Sequence, residues 1–220
     1  MTESSRRKRT DKNQAKMQVI RAAGEAFTQK GIKNVRMDDI ASALSISKRT
    51  LYELFGDKEE LLVEVIRIHR DEMKDYMARI AAEAGNVLEV IIGFYERTIS
   101  DFQQTNFCFF EDIKKYPKVV KFLEDSRREN VSSAMAFYQK GVEQGIFRED
   151  VNYHIVQEMV SGQMDALVKS FPTYPLEEIF ETLVFMHMRG ISTEKGLKIV
   201  NDFLSGLKRE HESKLDNNNN

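Results

Sequence analysis

Ser47, Lys48, Arg49, Thr50 and Tyr52 lie within one short stretch and offer hydroxyls, an ammonium, a guanidinium and a phenol from the outer side of one predicted helix. These groups suit recognition of a polyanion with readable edges. Lys and Arg donate to guanine O6 and N7 or to phosphate, and Thr50 can meet a thymine methyl or a phosphate. Tyr52 can hydrogen-bond a phosphate while its ring stays packed on the helix. Arg36, just upstream, can clamp the backbone on the other side. Lys58 starts the next predicted helix, where free N–H groups and the dipole also favour phosphate. Each residue taken singly reads as an ordinary solvent-facing side chain; the grouping is what points to double-stranded DNA.

Positioning these groups takes two short helices and a tight turn. Ile40, Ala41 and Leu44 form the inner face of the first, and small Ala41 lets the second cross closely. Ser45 and Ile46 make the turn, with Ile46 pointing back to the core. Ser47 suits the N-cap of the second helix. Leu51, Leu54 and Phe55 then lock that helix inward, so Lys48, Arg49, Thr50 and Tyr52 face out. This is the layout of a helix-turn-helix. Asp57 and Glu60 form a capping arrangement that opens a long helix to about Ala82.

Charge supports the same assignment. Residues 1–58 carry 13 Lys and Arg against 7 Asp and Glu, a net of +6, whereas the remaining 162 residues carry 20 against 28, a net of -8. A basic head on an acidic body suggests that the head meets a polyanion.

Ile40-Ala41, Ser47-Lys48-Arg49-Thr50-Leu51-Tyr52, Phe55 and Lys58-Glu59-Glu60-Leu61 together resemble the signature of the tetracycline-repressor (TetR) family. The resemblance covers about residues 12–62. It departs at Ser45, where the family usually has glycine. It implies a homodimer, an N-terminal DNA-binding head, a C-terminal effector-binding body, and opposition between DNA and ligand binding. The operator would be pseudo-palindromic.

The rest of the chain reads as helix. Apolar residues recur at helical spacing throughout, sustained alternation is absent, and the three prolines fall at predicted breaks. The expected fold is all-α with about nine or ten helices. Its division is a disordered basic tail (1–10), a helix-turn-helix domain (11–57), a ligand-binding and dimerisation domain (58–210) and a disordered tail (211–220). The predicted helices include 12–30, closed by Gly31, and one long helix from Lys118 to Gln144, stopped by Gly145. A last helix is expected to be capped by Ser192.

Aromatic and methionine residues of the body could surround one apolar cavity for a small apolar or amphipathic effector. The candidates are Phe94, Phe102, Phe107 and Phe110, then Met135, Phe137 and Tyr138, then Met159 and Met164. The same residue types also simply fill cores. Helices at 151–170 and 176–189 are apolar on more than one face, which suits a second subunit. That assigns Val160, Gly162, Leu167, Phe180, Leu183, Val184 and His187 to a dimer interface. The alternative is a DNA-binding regulator governed by a protein partner, with no small effector.

Other chemistry finds little support. His154 and Glu158 share a helix face, but no zinc-type spacing accompanies them. Cys108 sits among phenylalanines and reads as a buried, inert thiol. Glu111-Asp112 and Glu177-Glu178 read as helix-surface charges. No catalytic site, metal or cofactor is expected. No stretch reads as a secretory signal or a membrane span, so the expected location is the cytoplasm.

Overall fold

The computed structural model describes the backbone of residues 3–170 and 174–218, and the side chains of residues 12–162, 174–207 and 209. Among the described residues there are eleven helices and no strand. They are α1 (Glu3–Lys30), α2 (Met37–Ala43), α3 (Lys48–Leu54), α4 (Lys58–Glu83), α5 (Val87–Gln104), α6 (Phe107–Ile113), α7 (Pro117–Glu129), α8 (Val131–Glu143), α9 (Tyr153–Ser170), α10 (Leu176–Ile191) and α11 (Glu194–Asn218). None is long and apolar enough to cross a membrane.

Two compact units divide the chain. One comprises residues 1–76 and 100–128, the other residues 77–99 and 129–220. This division by compactness differs from the 11–57 and 58–210 division expected from the charge and motif pattern, because α6 and α7 fall with the helix-turn-helix.

The first unit is built on α1. Val19, Ile20, Ala23 and Phe27 repeat at helical spacing and are buried. They meet Ile32 and Val35 from the following loop, Ile40 and Ala41 from α2, Leu51 from α3, and Leu61, Leu62 and Ile66 from α4. Val119 of α7 closes this core. Burying each such side chain contributes about 1.5–3 kcal/mol, and the cluster fixes which way α3 can face.

The turn between α2 and α3 is a Schellman closure. The Ile46 N–H donates to the Ala41 carbonyl at 3.0 Å and the Ser45 N–H to the Ser42 carbonyl at 3.1 Å. That pattern requires a left-handed residue, and Ser45 supplies it with φ of 54°. The same closure ends α8, where the Ile146 N–H reaches the Gly141 carbonyl at 3.0 Å and Gly145 takes the left-handed position with φ of 65°.

In the second unit, Ile146 and Phe147 plug the core behind that turn. A Cβ at position 141 would lie 2.0 Å from the Phe147 ring, so only glycine admits the plug. Val87, Leu88, Val90 and Tyr95 of α5 are buried with Phe180, Phe185, Met188 and Ile191 of α10 and Val200 of α11.

Several sequence expectations need correction. The segment 1–10, expected to be disordered, is helical from Glu3, since neither glycine nor proline interrupts the run into α1. Of the tail 211–220, residues as far as Asn218 continue α11. The single helix expected over Lys118–Gln144 is two, broken at Asn130, a residue whose side chain competes with helical hydrogen bonding. The last helix is capped by Thr193, whose Oγ1 accepts from the Gly196 N–H at 3.3 Å, while Ser192 is buried at the end of α10.

Candidate nucleic-acid interface and internal cavity

Ser47 Oγ accepts the Thr50 N–H at 3.0 Å, so Ser47 is the N-cap of α3. Its hydroxyl also pairs with Thr50 Oγ1 at 2.8 Å. With Leu51 and Phe55 buried, Ser47, Lys48, Arg49, Thr50 and Tyr52 are all exposed. Lys48 Nζ lies 2.5 Å from Asp38 Oδ2, and Arg49 Nε lies 2.8 Å from Glu53 Oε1. Both cations remain open to solvent, at 65% and 88% side-chain exposure. Exposed pairs of this kind contribute about 0–1 kcal/mol, so exchanging them for phosphate or a base edge costs little. Arg36 is exposed at the N-cap of α2, where its own N–H donates to Asp39 Oδ2 at 2.8 Å.

Lys58 departs from this pattern. Its ammonium donates to the Ile32 carbonyl and sits 5.8 Å from the Phe27 ring centroid. Desolvation pulls its pKa down, against the opposing pull of Asp112 and Asp39. The side chain therefore ties α4 to the loop before α2 rather than reaching outward for phosphate. What remains for an anion there is the N-terminus of α4, where Asp57 Oδ1 already takes the Glu60 N–H at 2.7 Å.

Asp112 of α6 is buried, contrary to its reading as a surface charge. It accepts the Lys33 N–H at 2.7 Å and Lys115 Nζ at 2.7 Å. Burial pushes its carboxyl up, but the Lys115 pair and the Lys33 N–H outweigh that and hold it below the usual carboxylate range. Asn106 adds a second tie, its N–H donating to the Thr28 carbonyl at 2.7 Å. Lys118 of α7 adds a third, pairing with Asp57 at 2.8 Å and Glu60 at 3.2 Å. Lys118 is the main reason the Asp57 carboxyl is held low. Sequence reasoning missed this network. One signal was available: Asp112 falls on the same helical face as Phe109, Ile113 and Tyr116, the side that packs inward.

The second unit holds a cavity of about 290 Å³ between α5, α8, α9 and α10. Ile91 and Phe94 line it from α5, Phe137 and Tyr138 from α8, and Val156 and Val160 from α9. Phe180, Leu183, Val184, His187, Met188 and Ile191 line it from α10. Phe94 meets Phe180 edge-on at 6.0 Å, and Tyr138 stacks on Tyr153 at 4.8 Å. Among the described residues of this wall there is no lysine, arginine or carboxylate. Nearby, the Tyr95 hydroxyl donates to Glu181 Oε2 at 3.0 Å; burial, then that carboxylate, push the phenol well above its usual range.

Residues 19–65 match the family described as bacterial regulatory proteins, tetR family. Those residues run from the middle of α1 to the second turn of α4, the region whose geometry presents α3. Those residues form a DNA-binding head of the TetR family. The chain is a DNA-binding regulator of transcription. The HTH-type transcriptional repressor KstR2 of Mycolicibacterium smegmatis is 23% identical over 82% of this chain and 92% of that protein. Among solved structures, a TetR-family regulator from Agrobacterium tumefaciens superposes with a TM-score of 0.63 at 17% identity, covering 83% of this chain and all of that one. The ketosteroid regulator KstR2 of Mycobacterium tuberculosis gives a TM-score of 0.51 at 18% identity, covering 82% and 96%. At such identities the structural likeness speaks for the TetR fold alone.

Within this TetR fold, the residues proposed from sequence for a pocket and for a dimer face are redistributed. Phe94, Phe137 and Tyr138 are in the cavity wall. Phe102 and Phe110 belong to the first unit, where they pack edge-on at 5.5 Å. Phe107 and Met159 are exposed, and Met135 is half-buried outside the wall. Val160, Phe180, Leu183, Val184 and His187, assigned from sequence to a subunit interface, line the cavity instead. An apolar cavity inside one unit demands the same extra apolar face as a twin subunit, so the pattern alone cannot separate them. Gly162 is exposed on α9; the side chains of Met164 and Leu167 lie outside the described residues. Cys108, in the first turn of α6, is exposed rather than buried. His154 and Glu158 are exposed on α9, and among the described residues no group of three or more His, Cys, Asp or Glu could hold a metal ion.

Proposed function

We propose that this chain is a cytoplasmic, homodimeric TetR-family repressor that a small apolar effector releases from its operator. The observation that carries the reading is the outward row Lys48, Arg49, Thr50 and Tyr52 on a helix whose opposite side is buried. Two such heads would enter successive major grooves about 34–36 Å apart on a pseudo-palindrome. The apolar cavity supports effector control over control by a protein partner alone. The KstR2 relatives, named as repressors, support the sign of regulation.

A twin subunit is supported by α9. His154, Ile155, Glu158, Met159 and Gly162 form one exposed face at helical spacing. Ile155 and Met159 are exposed at 57% and 51%, and nothing lies within 4 Å of a Cβ at Gly162. An apolar stripe with open space for a close helix approach suits a two-fold contact.

Selection of bound duplexes from a random library, followed by fluorescence anisotropy, tests the reading. Recovered sites should contain two inverted half-sites one helical turn apart. Affinity should fall steeply with salt. Sites without symmetry, or a Lys48→Ala/Tyr52→Ala double variant that keeps full affinity, would overturn the groove assignment.

A further inference from the structure

Among the described residues the cavity wall is apolar except at two side chains, Tyr138 and His187, and these two are not equivalent. The Tyr138 hydroxyl donates toward Gln157 Oε1 at 3.5 Å, a long bond that already gives its proton a direction. His187 Nδ1 lies 2.8 Å from the Leu183 carbonyl, one turn back on α10. A carbonyl can only accept, so Nδ1 carries the proton in the neutral ring. Nε2 is then an acceptor, and among the described residues it has no hydrogen-bond partner. The tautomer is therefore set by the protein's own backbone, and what the described wall offers a ligand is acceptors only: the in-plane lone pair of His187 Nε2 and the weaker phenol oxygen of Tyr138.

Charge and size narrow the occupant further. Among the described residues of the wall, a ligand anion would find no lysine or arginine and a quaternary ammonium no carboxylate. Bringing either in without a partner is costly, since a buried charge needs pairing. About 290 Å³ is at the lower end of ligand cavities. Taking ~30 Å³ as the share of one water in the liquid, it holds a molecule on the order of ten non-hydrogen atoms.

We infer that the cavity takes a compact, uncharged, apolar molecule carrying one hydroxyl-type donor, and that His187 Nε2 accepts that hydrogen bond. The inference rests on the reading of the cavity as the effector site, and it names the chemistry that site selects. His187 is the specificity-determining residue, because an analogue lacking the donor leaves its acceptor unpaired.

Direct binding to the full chain, without DNA, tests it. Isothermal titration with 2-naphthol, naphthalene, 2-naphthoate and phenyltrimethylammonium separates donor, bare apolar body, anion and cation. 2-Naphthol should bind at least about tenfold tighter than the other three, the size of one net hydrogen bond. His187→Leu should erase the preference over naphthalene, and His187→Gln, which offers an amide acceptor, should restore part of it. Thermal melts of both variants show whether they fold. Equal binding of naphthalene, tighter binding of either ion, or an unchanged preference in His187→Leu would overturn the inference while leaving an effector cavity in place. Binding of none of the four would overturn the inference. Loss of naphthalene and naphthol binding on Val160→Trp marks the cavity as the site; binding unaffected by that change would overturn the cavity reading itself.

Discussion

Replacing Ser45 by glycine should stabilise the protein, and replacing Gly145 by alanine should destabilise it, through one shared cause. Both residues fill the left-handed position of the same Schellman closure, with φ of 54° and 65°. A non-glycine residue there costs about 1–2 kcal/mol. Glycine loses about 0.5–1 kcal/mol more chain entropy on folding, which offsets part of the relief. Ser45→Gly should therefore gain about 0.5–1 kcal/mol. A Cβ at Gly145 meets nothing within 4 Å, so Gly145→Ala tests the backbone cost without a steric contribution and should lose a similar amount. Gly31→Ala extends the series. Its φ is 80°, and its new Cβ would lie 2.8 Å from Cys108 Cβ, so it should lose more than Gly145→Ala. For a chain of this size, 1 kcal/mol moves Tm by about 2–4 °C. Thermal and urea unfolding followed by circular dichroism, at one fixed protein concentration, measures all three. Ser45→Gly melting at or below the parent, with Gly145→Ala unchanged, would refute the reasoning.

Asp112→Asn should cost about 2 kcal/mol, because a buried carboxylate gives up its charge-assisted bonds to Lys33 and Lys115. The folded Asp112 carboxyl lies below its unfolded value of about 3.9, so its stabilisation is full above that value and is lost as pH falls through the folded pKa. The acid limb of a stability-versus-pH curve should accordingly flatten in Asp112→Asn; an unchanged limb would count against it. Lys48→Ala should weaken operator binding and lower the salt slope by about 1 if Lys48 meets a phosphate. Asp38→Asn removes the partner of Lys48 and should tighten binding to unrelated duplex at low salt while changing stability by less than about 1 kcal/mol. Weaker nonspecific binding in Asp38→Asn would contradict that.

What the sequence made legible is what closes locally. Ser47 caps α3 through Thr50, and Gly145 closes α8 through Gly141 and Val142; each partner lies within four residues, so spacing alone reveals it. Asp112 and Lys58 were misread because their partners are far along the chain, at Lys33 and Ile32. Their residue types signal exposure, and only a folded core shows that each has been drawn inward by a backbone group that needs it. Ser192 and Thr193 show the same limit at a smaller scale: both are able caps, and burial of Ser192 leaves the role to its neighbour. The assignment of Val160, Leu183 and His187 to a subunit face had a different origin. Periodicity reports that a helix side must leave water, and says nothing of whether a core, a cavity or a second chain receives it.

The orientation of the DNA-reading helix is set by residues that cannot touch DNA. Leu51 and Phe55 hold α3 against α1 and α4, and the loop that leads into α2 is fixed from α6 and α4 together. Asp112 takes the Lys33 N–H, Lys58 takes the Ile32 carbonyl, and Arg36, four residues on, is the N-cap of α2. Asp112 is buried and Lys58 half-buried, so breaking either tie leaves a backbone group or a charge poorly paired rather than a lost surface contact. The segment that supplies Asp112 and Val119 is therefore part of the reader's structure, although neither the motif nor the charge pattern assigns it there. A rearrangement of α6 cannot leave the start of α2 unaffected unless Lys33 finds another acceptor, and that makes residues 100–128 the stretch where changes without any DNA contact should alter DNA affinity.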